Sequence, residues 1–164
     1  MIKNVTWIFV VLIFSSFISF SFVGKDTPTE GLTIGDKAPA FTICGEKQLI
    51  DLKDLKGKYV LLSFWASYDA PSRVQNATLN HAASKADNVE MVSVSFDEYK
   101  SIFNETIRED QIKTENCFVE LAGNSSDLFK TYRLNRGFKN FLLDVNGVII
   151  AKDVTASQLA SYLN

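Results

Sequence analysis

The chain has 164 residues, of which 46% are hydrophobic and 22% charged, and its formal net charge at pH 7 is −2. This length predicts one domain with a core large enough to fold without disulfide staples. The slightly acidic balance argues against a nucleic-acid partner, because such partners usually require a basic face. With one histidine and two separated cysteines, Cys44 and Cys117, the sequence indicates no metal-ligand cluster and no cofactor.

Residues 1–24 form an apolar N-terminal segment. Lys3 gives a short positive start, and no charged residue occurs from Val5 to Val23. This pattern is typical of an export signal, with small residues for cleavage around Phe20. The run is also close to the ~20 residues that span a bilayer, so a retained membrane anchor through residues 5–23 is the alternative. Both interpretations predict an exported protein of the periplasm or cell envelope, with residues 25–34 as a linker.

The remainder of the chain, residues 35–164, alternates apolar runs typical of buried strands with stretches of helical spacing. The predicted strands are residues 40–44, 48–51, 58–65, 89–96, 117–120, 140–143 and 148–151. The predicted helices are residues 70–86, 99–110 and 126–132, and a last one that starts at Thr155. The first two strands predict a small N-terminal hairpin, and the Asn146-Gly147 pair predicts a second hairpin. Together these elements predict an α/β fold with a central mixed sheet flanked by helices.

Four sequence words in this region resemble those of the thioredoxin superfamily, especially its exported TlpA/ResA-like and AhpC/TSA-like proteins. They are GDKAPAF at 35–41, DLKGK at 54–58, FWAS at 64–67 and FLLD at 141–144, the last followed by Gly147. The resemblance covers residues 35–164 and implies a thioredoxin fold. For the family it implies thiol–disulfide oxidoreductase activity.

The resemblance also locates a degenerate redox motif. The family continues from its tryptophan as W-C-x-x-C-R, and the same positions here hold Asp69 and Ser72 at the cysteines, followed by Arg73. Thiol–disulfide exchange needs an attacking thiolate, and neither replacement carries sulfur. No catalytic residue is therefore predicted at this motif. Phe138 falls at the family's cis-proline, where a trans peptide bond is expected because a non-proline cis bond costs ~2.5–4 kcal/mol.

The altered motif has two interpretations. Asp69 is expected to cap a helix N-terminus, with Ser72 in the first turn, or to form an anionic recognition spot where the family has its thiolate. Trp65 is expected in the core. The alternative makes Trp65, Tyr68 and Phe138 an aromatic patch that binds a peptide or protein, and the predicted binding residues are then these three together with Asp69 and Ser72.

Other polar residues have structural interpretations. Asp97 and Glu98 follow a strand and are expected to cap the next helix. His81 is expected to face solvent on the first helix. Cys44 and Cys117 are expected to be inert and too far apart to bridge, with Cα atoms beyond ~7 Å. A structural disulfide or a peroxide-reactive thiol at either cysteine is the alternative.

Three functions follow from these patterns. The leading one is a non-catalytic thioredoxin-like module of the cell envelope that binds a protein or peptide. The second is an oxidoreductase or peroxidase-like protein that uses Cys117 or Cys44. The third is a structural domain attached to the membrane through residues 5–23.

Overall fold

The computed structural model describes residues 27–45, 49–113 and 115–163. The predicted export segment, residues 1–24, lies outside these ranges. Inside them, none of the helices combines the length and the apolar character that a bilayer crossing requires.

The described residues form seven strands and four α-helices. The strands are β1 (Thr42–Cys44), β2 (Leu49–Asp51), β3 (Tyr59–Trp65), β4 (Val89–Ser95), β5 (Cys117–Val119), β6 (Asn140–Leu143) and β7 (Ile149–Lys152). The helices are α1 (Ala70–Ala83), α2 (Lys100–Glu109), α3 (Asp127–Thr131) and α4 (Ala156–Leu163). Short 3-10 helices occur at Leu52–Leu55, Gly123–Ser125 and Leu134–Arg136.

Five strands form one mixed sheet in the order β5-β4-β3-β6-β7. The central strand β3 pairs in parallel with β4 and antiparallel with β6. The strands β1 and β2 form a separate two-stranded antiparallel sheet ahead of it. The predicted α/β fold, with a central mixed sheet and an N-terminal hairpin, is confirmed.

Strand β3 lies at the centre because side chains on both of its faces are apolar and buried. Successive residues of a strand point to opposite faces, so Leu61 and Leu62 belong to different layers. Leu62 packs in a cluster with Phe141 and Tyr132. Leu61 packs on the opposite face with residues that include Leu79 of α1. The carboxyl end of β3 is thereby fixed, and the loop that follows it starts from a rigid position.

Helix α1 ends at Ala83, three residues before the predicted end. The backbone N–H groups of Lys85 and Ala86 donate to the carbonyls of Ala82 and Ala83, three residues earlier. Such bonds tighten the last turn and end the α-helix, and the chain then enters β4 at Val89.

The N-terminal segment packs along β7. The Gly35 N–H donates to the Ile149 carbonyl at 2.9 Å, and the Ile149 N–H donates to the Asp36 carbonyl at 2.8 Å. Leu32, which falls in the predicted linker, packs against the core. From residue 29 onward the chain is therefore hydrogen-bonded into the domain.

Candidate functional site

The altered motif lies in the loop between β3 and α1. Asp69 is the N-cap of α1, and its Oδ1 accepts a hydrogen bond from the Ser72 N–H at 2.9 Å. Pro71 stands in the first turn, where its missing N–H has no cost. The predicted helix start and the capping role of Asp69 are confirmed. The carboxylate also lies where the helix dipole favours negative charge.

Ser72 is buried and has both of its hydrogen-bonding functions occupied. Its hydroxyl donates to the Asp69 carbonyl at 3.1 Å and accepts from the Ala66 N–H at 3.4 Å. Among the described residues, both hydrogen-bond partners of this hydroxyl are backbone groups, and the Asp69 carboxylate bonds to the Ser72 N–H instead. A serine hydroxyl without an adjacent base is a poor nucleophile, so Ser72 holds the loop closed rather than offering a reactive group.

Trp65 belongs to the core. Its side chain is 0% exposed, and its Nε1 donates to the Ser93 hydroxyl at 2.9 Å. Ser93 in turn donates to Asn76 Oδ1 at 2.9 Å, which links β3, β4 and α1 through buried groups. Full burial removes Trp65 from the aromatic patch considered above. Ser93 and Asn76 were not singled out from the sequence, although a serine inside an apolar strand indicates a buried polar contact.

Asp97 is the main site residue that sequence reasoning placed wrongly. The N-cap of α2 is Tyr99, and it has no side-chain cap. The Asp97 carboxylate, in a residue only 2% exposed, instead accepts from the Ser67 N–H at 3.0 Å and from the Ser67 hydroxyl at 2.6 Å. Its second oxygen accepts from the Ser95 hydroxyl at 2.6 Å. The end of β4 is therefore bonded to the motif loop through Ser67, and the two Ser67 donors together with the Ser95 hydroxyl offset the desolvation of the carboxylate.

Tyr68 and Phe138 form the accessible part of the site. Tyr68 is 71% exposed, and its ring centroid lies 6.2 Å from that of the half-buried Phe138. The Phe138 ring stacks on that of Phe96, with centroids 6.0 Å apart, and lies edge-on to that of Phe129, with centroids 6.3 Å apart. No peptide bond in the described part of the chain is cis, as expected at Phe138. We call Tyr68, Asp69 and Phe138 the motif surface.

The motif surface has an acidic character. Partial desolvation raises the pKa of Tyr68 above its ordinary value, and the negative charges of Asp97, Asp69 and Glu98 raise it further. The Tyr68 phenol is therefore neutral at physiological pH, and it is a hydrogen-bond donor beside carboxylates.

Arg73 joins the motif helix to α2. Its Nε and Nη2 donate to the two carboxylate oxygens of Asp110, both at 2.7 Å, and Nη2 also donates to Glu109 at 2.9 Å. These bonds raise the pKa of Arg73 further, so it stays charged. Bidentate geometry orients both partners, so Arg73 has a positioning role.

The two cysteines lie away from the motif surface, in a cleft between α2 and β5. Cys44 is exposed, Cys117 is half-buried, and both are free thiols that line this cleft. Burial raises the pKa of Cys117 to about 11. Its thiol donates to the Lys113 carbonyl at 3.1 Å. Cys117 is therefore a neutral, weakly nucleophilic thiol at pH 7. Their Cα separation stays a prediction, which a non-reducing mass measurement checks.

The fold and the site define a thioredoxin-like protein. Its sheet has the strand order β5-β4-β3-β6-β7, a helix begins directly after the central strand β3, and Phe138 lies beside the loop between them. The AhpC/TSA family model matches residues 34–152. Thiol-disulfide oxidoreductase ResA of Bacillus cereus is 28% identical over 163 residues, which cover 95% of this chain and 92% of that protein. The chain thus belongs to the AhpC/TSA family and is homologous to ResA-like thiol-disulfide oxidoreductases.

Solved structures agree with this assignment. A thioredoxin-like protein from Parabacteroides distasonis is 42% identical, with a TM-score of 0.74 over 84% of this chain and 98% of that one. The thioredoxin domain of a thiol-disulfide oxidoreductase from Bacteroides vulgatus is 25% identical, with a TM-score of 0.70 over 82% of this chain and 100% of that one.

Proposed function

We propose that this chain is an exported, non-catalytic thioredoxin-like module that binds a protein or peptide of the cell envelope at the motif surface. One observation carries the proposal. The two residues aligned with the family's cysteines, Asp69 and Ser72, are bonded to each other and to the loop backbone, while the neighbouring Tyr68 is 71% exposed. The site thus has no sulfur for exchange but keeps an accessible aromatic ring.

The chemistry of Tyr68 suits a binding role. Tyrosine is enriched among the residues that dominate binding energy, because its ring supplies apolar area and its hydroxyl a directed bond. Phe138 supports the ring from one side, and Asp69 places a carboxylate beside it. A partner segment that covers Tyr68 would bury aromatic area without ordering a flexible side chain.

Export is the second part of the proposal, and its support is the apolar segment of residues 1–24. The alternative of a purely structural domain rests on the same segment, held in the membrane through residues 5–23. Partner binding at the motif surface separates the two, because a purely structural domain needs no accessible aromatic ring there.

The oxidoreductase alternative has one observation in its favour, which is that Cys44 and Cys117 line the same cleft. The raised pKa of Cys117 weighs against it, because thiolate is the reactive form. Insulin reduction by the wild type, with Cys44→Ser and Cys117→Ser alongside, tests this alternative. Activity that either substitution abolishes would establish it.

Site-directed photo-crosslinking in the envelope fraction tests the leading proposal. A photoreactive phenylalanine analogue is placed at Tyr68 in the motif loop, and the matched control carries it at Val74, which lies on the following helix α1 and is 65% exposed. We expect one or a few discrete adducts from position 68 that weaken when Phe138→Ala is added, and none of the same mass from position 74. Equal adducts from both positions would overturn the proposal.

A further inference from the structure

A second cleft shares no residue with the motif surface, although its lining includes residues on both sides of Phe138 in the sequence. It has a volume of about 300 Å³ and is bounded by the N-terminal segment at 31–36, the 3-10 helix Leu134–Arg136 and the strands β6 and β7. This volume is at the lower end of the range of small-molecule sites.

Four cationic side chains line this cleft: Arg133, Arg136, Lys139 and Lys152. None of the four belongs to an ion pair formed between described residues. In a chain whose net charge is −2, such a concentration of unpaired positive charge is not a consequence of composition. Cations around one cleft repel each other, and a bound anion removes that repulsion.

One carboxylate, Asp36, also lines the described part of the cleft, and it is engaged locally. Its Oδ2 accepts from the Thr33 N–H at 2.8 Å, and its Oδ1 accepts from the Thr29 hydroxyl at 3.5 Å. Asp36 therefore stabilises the turn that forms one wall. The lining therefore has four cationic side chains and one carboxylate, while the negative charge of Glu30, outside the lining, acts on Tyr132 in the floor.

The cleft is built on fixed elements. Its floor includes Tyr132 and Phe141, each 1% exposed, and the Tyr132 hydroxyl donates to the Pro39 carbonyl at 2.7 Å. Lys152 extends over the Phe141 ring, with Nζ 5.7 Å from its centroid. Arg133 sits in a tight turn with φ of 54°. These contacts fix the floor and the backbone of the cleft and place Lys152 over it, so a ligand has to order chiefly the two arginine side chains and Lys139.

We propose that this cleft binds a multiply charged oxyanion of the phosphate class, through Arg133, Arg136, Lys139 and Lys152. Guanidinium groups match the geometry of phosphate oxygens and bind them in pairs, and lysines add positive charge. The proposal is independent of the proposed function, since no residue is shared.

Two sources could supply this chemistry, a soluble phosphate compound or the headgroup of an anionic lipid. The apolar segment ends at Val23, and the cleft begins at Gly31, eight residues later. Eight residues span at most about 29 Å. If residues 5–23 remain in the membrane, the cleft is therefore within reach of the lipid surface.

The test uses the full chain in non-ionic detergent micelles. Titration calorimetry measures binding of inorganic pyrophosphate. Native mass spectrometry measures retention of phosphatidylglycerol against an equal amount of phosphatidylcholine. Each is repeated with Arg136→Gln/Lys139→Gln and with the control Lys53→Gln/Lys56→Gln. The control removes the same charge from two exposed residues outside the cleft.

We expect the cleft variant to bind at least about tenfold more weakly and the control to bind like the wild type. Pyrophosphate binding alone supports a soluble ligand, and preferential phosphatidylglycerol retention supports a lipid headgroup. Absence of both, or an equal loss in the two double variants, overturns the proposal. If the cleft variant unfolds early in a thermal scan, Lys152→Gln replaces it and the same outcomes decide.

Discussion

The motif loop and the cleft between α2 and β5 differ in where they place charge and sulfur. At the motif loop, Asp69 provides a carboxylate at a helix N-terminus, at the position that the sequence resemblance aligns with the family's first cysteine. In the cleft, Cys117 provides sulfur, but burial raises its pKa to about 11. The favourable electrostatics and the sulfur are thus in different places. Redox chemistry in this family depends on having them together.

The largest effect is expected from returning sulfur to the motif loop. The variant Asp69→Cys/Ser72→Cys should form an intramolecular disulfide, because the two positions face each other across the first turn of α1. The helix N-terminus should lower the pKa of the first thiol below the ~8.5 of free cysteine. Substrate reduction should stay low until Phe138→Pro is added, since the sequence resemblance aligns Phe138 with the family's proline.

Thiol titration and insulin reduction measure both parts of this prediction, in a Cys44→Ser/Cys117→Ser background that removes the native thiols. A double variant that stays reduced under oxidising conditions would contradict the alignment of this loop. If the wild type reduced insulin as fast as the double variant, the prediction that the natural motif has no redox activity would be wrong.

The second prediction concerns the cleft thiol. In Cys44→Ser, alkylation of Cys117 at pH 8 should be about 20-fold slower than that of a free cysteine peptide. At this pH the thiolate fraction of Cys117 is roughly 200-fold lower than that of free cysteine, because its pKa is about 11. Each Cys117 thiolate is more nucleophilic, since nucleophilicity rises with pKa, and this partly offsets the lower fraction. Because the folded pKa is raised, the rate should climb as pH rises toward 11. Iodoacetamide labelling followed by mass spectrometry measures it, and a plateau below pH 9 would count against the neutral thiol.

The third prediction concerns the carboxylate that fixes the motif loop. Asp97→Ala should lower the free energy of unfolding by about 3 kcal/mol, because two half-buried donors on Ser67 and one buried donor on Ser95 lose their acceptor. The adjacent Glu98→Ala, an exposed position, should change it by less than about 0.5 kcal/mol. Urea unfolding of the two variants provides the comparison. Equal losses of stability would contradict the proposal that Asp97 fixes the motif loop.

The smallest effects are expected from substitutions of Asp69, which distinguish its role as a helix cap from its role in recognition. Asp69→Ala should cost about 1 kcal/mol of stability, because the Ser72 N–H loses its cap. Asp69→Asn keeps the capping oxygen and should cost only a few tenths, while it removes the negative charge from the motif surface. Thermal unfolding measures stability, and the crosslinking yield at Tyr68 measures recognition. If Asp69→Asn preserves stability but halves the yield, the side-chain oxygen caps the helix and the negative charge acts in recognition; an unchanged yield would contradict a recognition role for the charge.

The sequence by itself determined the order of elements, the central position of β3 and the capping by Asp69. These depend on local signals, namely apolar runs, helix-start residues and the Asn146-Gly147 turn, and short-range physics decides them. Only the tertiary structure decided which residues from distant parts of the chain contact each other. The bonds from Asp97 to Ser67 cross 30 residues, and the cleft brings Arg133 and Lys152 to the N-terminal segment. No local pattern encodes such contacts, because they depend on which strand ends meet when the sheet closes.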